Sequence, residues 1–243
     1  IYQQLIDWKL VSNGKSALLI EGARRIGKST IAEEFAKNEY KSYILIDFNR
    51  AEDEVKDLFL HYLNDLDSLF MYLSGFYNVK LYEHESLIIF DEVQMFPRAR
   101  AAIKYLVADG RFEYLETGSL MSIKKNVKDI VIPSEERHIQ MFPLDFEEFL
   151  LNSEKKQLID FIYDSYQTLK PMPFHQMALD LYNDYLITGG MPEPIRLWTE
   201  FRDVGAVQES LLGITYAYER DFAKHPDVKE YPKISMIWRS IPS

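Results

Sequence analysis

Lys28 and Ser29 close the segment "GARRIGKS", in which Gly22, Gly27, Lys28 and Ser29 satisfy the spacing GxxxxGK[ST]. Open glycine backbone brings amide N–H groups close to an anion, and the lysine ammonium adds a positive charge that can reach phosphate oxygens. The serine hydroxyl is then placed to meet a Mg²⁺ ion. Gly22, Ala23, Arg24, Arg25, Ile26, Gly27, Lys28, Ser29 and Thr30 are therefore the candidate phosphate-binding residues. A second group, Asp91 and Glu92, ends the apolar run "SLIIF". Carboxylates at the end of a strand buried on both faces belong where it meets solvent or a ligand, and in open α/β sheets ligands sit at that edge. Asp91 joins Ser29 as a candidate Mg²⁺ contact, and Glu92 is the candidate group that polarises an attacking water.

A third run, "RFEYLETGS", ends in hydroxyls. Either Thr117 or Ser119 can orient a lytic water or bind a γ-phosphate oxygen at the same edge, and a hydroxyl that merely closes a turn is the structural alternative. Arg24, Arg25, Arg98, Arg100 and Arg137 are candidates for neutralising transferred charge, with a surface ion pair as the alternative for each.

These residues need a strand, a loop and a helix in that order. "SALLIEG" is a short apolar run fit for a buried parallel strand, and "STIAEEFAKN" places Ile31, Ala32, Phe35 and Ala36 at helical spacing with Glu33, Glu34 and Lys37 outside them. An amphipathic helix in "IYQQLIDWKL" precedes them. Further strands are predicted at Ser42 to Phe48, Ser86 to Val93, Arg111 to Ser119 and Arg137 to Leu144, separated by helical stretches. Alternating strands and helices predict an α/β fold with a parallel sheet covered on both faces. From Asp145 the strand signals stop and helical patterns take over, so the expected division is 1–145 for the α/β core and 146–243 for a smaller helical domain. "TGGMPEP", Thr188 to Pro194, reads as a loop between two helices.

Composition narrows the class. The chain has 243 residues, enough for a core of its own, and no cysteine, which excludes disulfides and thiolate metal sites. Five histidines, His61, His84, His138, His175 and His225, show no metal-ligand spacing. The apolar runs are short and broken by charge, so no membrane span and a cytoplasmic location are expected. A formal charge of -10 argues against nucleic acid as the main partner of these residues. The chain opens on Ile1 and closes on "MIWRSIPS", and is expected to be a fragment.

"GARRIGKST", "FDEVQMFPRARAAIKYLVADGRFEYLETGSL", "IPSEERHIQMFPLDFEEFL" and "YLITGGMPEPI" together resemble the AAA+-type P-loop ATPases of bacteria and archaea that join an ATPase domain to a carboxyl-terminal domain of unknown function. The resemblance spans essentially the whole chain. It implies a P-loop NTPase sheet sandwiched by helices, followed by a helical lid and the start of a winged-helix region, and it implies ATP or ADP with Mg²⁺ as ligands. Asp91 and Glu92 become the Walker B pair with Gln94 completing "DEVQ", and the sensor hydroxyl falls on Thr117 or Ser119. Pro192 in "GGMPEP" becomes a lid contact to nucleotide. Arg137 precedes "MFPL" without the glycine that the family often places before its arginine. A homo-oligomer, and a DNA or protein partner engaged through a further carboxyl-terminal region, are also implied. Two rivals stand beside a Mg²⁺-dependent ATPase: a slow-turnover nucleotide-gated interaction or signalling module, and a P-loop kinase, for which no acceptor motif is present.

Overall fold

Side chains of a strand alternate between faces, and the run Ala17–Ile20 is apolar at every position because both faces of its strand are covered. Ala17 and Leu19 belong to one buried cluster, Leu18 and Ile20 to another. The structure, a computed structural model, describes residues 1–119, 135–224 and 231–241. Its strands are β1 (Ala17–Gly22), β2 (Ser42–Asp47), β3 (Ser86–Asp91), β4 (Glu113–Ser119) and β5 (Glu136–Met141). They form one parallel sheet in the order β2-β3-β4-β1-β5. The α/β class with a parallel sheet, predicted above, is the fold observed.

Helices α1 (Tyr2–Ser12) and α2 (Lys28–Glu39) cover one face, where Leu5, Trp8, Ala32, Phe35 and Ala36 pack on Leu18, Ile20, Leu87, Ile89 and Leu115. Helices α3 (Asp53–His61), α4 (Leu66–Tyr77) and α5 (Pro97–Asp109) cover the other, with Phe59, Phe70 and Ile103 packed on Ile46, Ile88, Phe90 and Tyr114. Each such side chain taken fully out of water contributes about 1.5 to 3 kcal/mol, which is why β3, buried at every position, holds its carboxyl end in a fixed place.

Several strand ends differ from expectation, two of them for a plain local reason. β3 stops at Asp91 rather than Val93, because Glu92 takes the left-handed conformation, φ 52°, and Val93–Met95 forms a 3-10 turn. β5 stops at Met141, short of Pro143, whose missing N–H cannot continue a ladder.

By contacts the chain divides into two compact units, Ile1–Phe142 and Pro143–Ser243. In the described part of the second are α6 (Phe146–Asn152), α7 (Lys156–Thr168), α8 (His175–Thr188), α9 (Pro192–Phe201), α10 (Val204–Lys224) and α11 (Tyr231–Ser240). Asp145 starts α6 with a reciprocal cap, accepting from Glu148 N at 2.8 Å while its own N–H donates to Glu148 Oε2. Leu150, Leu158, Ile159 and Ala178 form its small core. The "TGGMPEP" loop is shorter than predicted: Pro192 occupies the first turn of α9, where a proline loses no helical hydrogen bond. Gly190 remains essential to that turn, since a Cβ there would strike Leu144 O and Pro143.

Candidate functional site

The stretch from the last residue of β1 through the first turn of α2 carries nine of the residues singled out by sequence, Gly22 to Thr30. Register places Gly22 beside Ser119 of β4 on one side and Met141 of β5 on the other, and a Cβ at Gly22 would strike Met141 O and Ile26 Cδ1. Close approach, not a positive φ, requires glycine there. Ile26 is buried and anchors the loop, whereas Arg25 is exposed at φ 61° and Gly27 reaches φ 93° as the residue before α2. Gly27 offers no capping side chain, so the first-turn N–H groups of Lys28, Ser29 and Thr30 have no intrahelical acceptor and suit an anion. Ala23 and Arg24 are half-buried in the loop and Thr30 is exposed.

Lys28 is buried, and its Nζ donates to Ala23 O at 2.7 Å and Gly22 O at 3.3 Å. Burial pulls its pKa below the ordinary lysine value; Glu92 and Asp91 oppose that shift and Arg24 adds to it. The ammonium therefore feels the charge of the two carboxylates but is under-solvated, a condition that phosphate oxygens would relieve.

Ser29 Oγ donates to Asp91 Oδ1 at 2.7 Å, and Thr117 Oγ1 donates to the same carboxylate oxygen. Thr117 Oγ1 also accepts from Glu92 N at 3.3 Å. One hydroxyl from the first turn of α2, one acid from β3 and one hydroxyl from β4 thus converge at one sheet edge. A cation would fit here by displacing the Ser29–Asp91 hydrogen bond, the hydroxyl keeping its proton and offering an oxygen lone pair: one carboxylate and one hydroxyl are the modest protein share that Mg²⁺ takes when phosphates and waters supply the rest. Among the described residues no group of three or more His, Cys, Asp or Glu could hold a metal by itself. Of the two hydroxyls left open by sequence, Thr117 is the one bonded to Asp91; Ser119 is buried at the end of β4, level with Gly22.

The arginines separate. Arg137 pairs in register with Leu18, four positions before the level at which Gly22 faces Met141. At about 3.3 Å per residue that is about 13 Å from the loop end of the sheet, and Arg137 is exposed there, so its predicted catalytic position is corrected by register. Arg100, offered as a charge neutraliser or surface ion pair, is neither: its guanidinium is buried against Glu136, Nε to Oε2 at 3.0 Å and Nη2 to Oε1 at 2.6 Å. Arg98 is exposed at the start of α5. Pro192 lies in the second unit, half-buried in the first turn of α9.

Sequence reading gave Gln94 no role beyond completing "DEVQ", and it missed Glu116. Gln94 is buried, and its amide donates to Glu92 Oε2; its place two residues after the acid, in a turn rather than a strand, was the available signal. Glu116 is fully buried with neither carboxyl oxygen meeting a donor among the described residues. Burial pushes its pKa well above the ordinary range and Glu136 adds to the shift, with Arg100 opposing. Burial also acts on Glu136, but hydrogen bonds from Arg100 and Glu116 outweigh it and hold that carboxyl below the usual range. Glu116 is thus the neutral acid that can donate its proton to the charged Glu136. A lone glutamate inside "YLETGS" was the clue.

The sequence matches the model of a family described as AAA domain over residues 14–150, and a domain of unknown function (DUF8612) over residues 179–243. Among solved structures it is similar to C. elegans PCH-2, at 14% identity over 86% of this chain and 67% of that one, with a TM-score of 0.45. It is also similar to the Aeropyrum pernix ORC1 protein, solved in complex with DNA, at 11% identity over 93% of this chain and 67% of that one, with a TM-score of 0.43. No curated protein matches it. No helix among the described residues is long and apolar enough to cross a membrane.

Proposed function

We infer that this chain, which belongs to the AAA domain family of P-loop ATPases, binds ATP with Mg²⁺ and hydrolyses it to ADP and phosphate. The observation that carries this is the meeting of Ser29, Asp91 and Thr117 beside the Lys28 loop. The amides of Lys28, Ser29 and Thr30 and the Lys28 ammonium bind the phosphates, and Ser29 with Asp91 would hold Mg²⁺. A bound Mg²⁺ supplies neutralisation of charge on the β- and γ-phosphates. Thr117 fixes Asp91 and, through the Glu92 N–H, the turn that carries the next acid. Glu92 accepts the proton of the attacking water as the oxygen approaches the γ-phosphorus. Arg24 lies within the loop for transferred charge; the helical unit from Pro143 serves as lid or coupling element of the same enzyme.

The test is phosphate release from Mg-ATP by the full chain and its Glu92→Gln variant, with ATP affinity measured alongside. The variant is expected to keep ATP binding and lose about 10² to 10⁴ in turnover, the usual contribution of a general base. Tight ATP binding with no phosphate release from the unaltered chain supports the gated interaction module instead. Assembly into a homo-oligomer, and engagement of DNA or protein, belong to the same proposal. Turnover per molecule that rises with protein concentration, or on adding such a partner, supports them.

A further inference from the structure

Glu92 needs more than proximity to act as a base, because a half-buried carboxylate on a turn can rotate about its side-chain bonds. Its backbone is confined by unusual means. Glu92 takes φ 52°, a conformation that L-residues with a Cβ adopt rarely. The 3-10 turn that follows is closed by Met95 N donating to Glu92 O at 2.8 Å and Phe96 N to Val93 O at 3.1 Å. Val93 is buried in the core under α5, so the turn is tied down at its centre. Within it the Gln94 side chain folds back and donates Nε2–H to Glu92 Oε2, in a position only 5% exposed to solvent. Glu92 Oε1 has no protein donor among the described residues. One oxygen is clamped and the other is open.

We propose that Gln94 is a positioning residue for hydrolysis: its amide clamps Oε2 of Glu92, sets the carboxylate plane, and leaves Oε1 as the lone pair that receives the water proton. This rests on the reading of Glu92 as the base. A neutral amide suits the task, because it donates at every physiological pH and adds no charge to a site holding Asp91, Lys28 and phosphate. A lysine or arginine in its place would pair with Glu92 and weaken it as a proton acceptor.

The experiment measures kcat, KM and ATP affinity of the full chain with Gln94→Ala, Gln94→Glu and Glu92→Gln. Loss of one charge-assisted hydrogen bond corresponds to roughly 10- to 100-fold, expected for Gln94→Ala in kcat with KM and ATP affinity unchanged. Gln94→Glu keeps the shape and can donate only while protonated, so its kcat is expected to approach wild type at low pH and fall as pH rises, while the wild-type profile lacks that fall. A purely structural glutamine would not produce that pH signature, and the shape-conserving variant remains informative if Gln94→Ala folds poorly. In the Glu92→Gln background, Gln94→Ala is expected to cost nothing further. If Glu92→Gln is inactive but both Gln94 variants keep the wild-type kcat and pH profile, the positioning role is overturned and the base assignment stands. If Glu92→Gln turns over normally, or the full chain releases no phosphate, the base assignment fails and the positioning role fails with it.

Discussion

Ser29 and Asp91 lie 62 residues apart in the chain, yet Ser29 Oγ donates to Asp91 Oδ1 at 2.7 Å. Helix α2 presents the hydroxyl in its first turn, and β3 presents the acid at its last residue, Asp91. Asp91→Asn keeps the shape and removes the charge that a divalent cation needs. The difference between ATP affinity with Mg²⁺ and with a chelator is expected to shrink, while metal-free ATP affinity changes little. An unaltered Mg²⁺ dependence by calorimetry places the cation elsewhere.

Lys28→Ala removes the ammonium that spans Gly22 O and Ala23 O. A hydrogen bond to a charged group contributes about 1.5 to 3 kcal/mol, so ATP binding is expected to weaken by roughly 10- to 100-fold. The rise in melting temperature on adding Mg-ATP is expected to shrink in parallel, because ligand stabilisation follows affinity. Equal affinity and equal thermal shift would take Lys28 out of the site.

Arg100→Met leaves the Glu136 carboxylate buried without its guanidinium. Breaking one side of a buried pair costs about 3 to 5 kcal/mol, read as a lowered denaturation midpoint. Adding Glu136→Gln to the same chain removes the stranded charge and is expected to recover part of the loss. A double variant no more stable than the single one shows that packing, not charge, set the cost.

Glu116→Gln tests the neutral acid. The folded-state pKa of Glu116 is raised above the unfolded value near 4.5, so its contribution to stability is fully present below that value and is lost as pH rises toward the folded one. The loss proceeds at up to about 1.4 kcal/mol per pH unit. Glutamine never ionises and keeps a donor for Glu136. The stability of Glu116→Gln relative to wild type is therefore expected to increase from pH 5 to pH 8. A difference that is the same at both values means that Glu116 carries its charge in the folded protein.

The local signals in this chain were strong where one segment does one job. GxxxxGK[ST] between an apolar run and a helical pattern sufficed for the loop, because backbone conformation, bare amides and the lysine all reside within nine residues, Gly22 to Thr30. The α/β class followed from alternating strands whose burial on both faces shows as uninterrupted apolar runs such as "SLIIF". Tertiary structure alone decided matters that depend on register and on partners remote in sequence. Thr117 rather than Ser119 bonds Asp91 because the register that pairs Phe90 with Glu116 brings Asp91 level with Thr117, whereas Ser119, on the same face of β4, lies two residues farther along. Arg137 sits far from the loop because β5 pairs with β1 at Leu18, a choice that no single strand encodes. Arg100 is committed to Glu136, 36 residues away, and a helix residue cannot disclose which strand it will face. Loop chemistry is short-range and legible in order; strand register and buried charge pairing arise only when separate elements share one core.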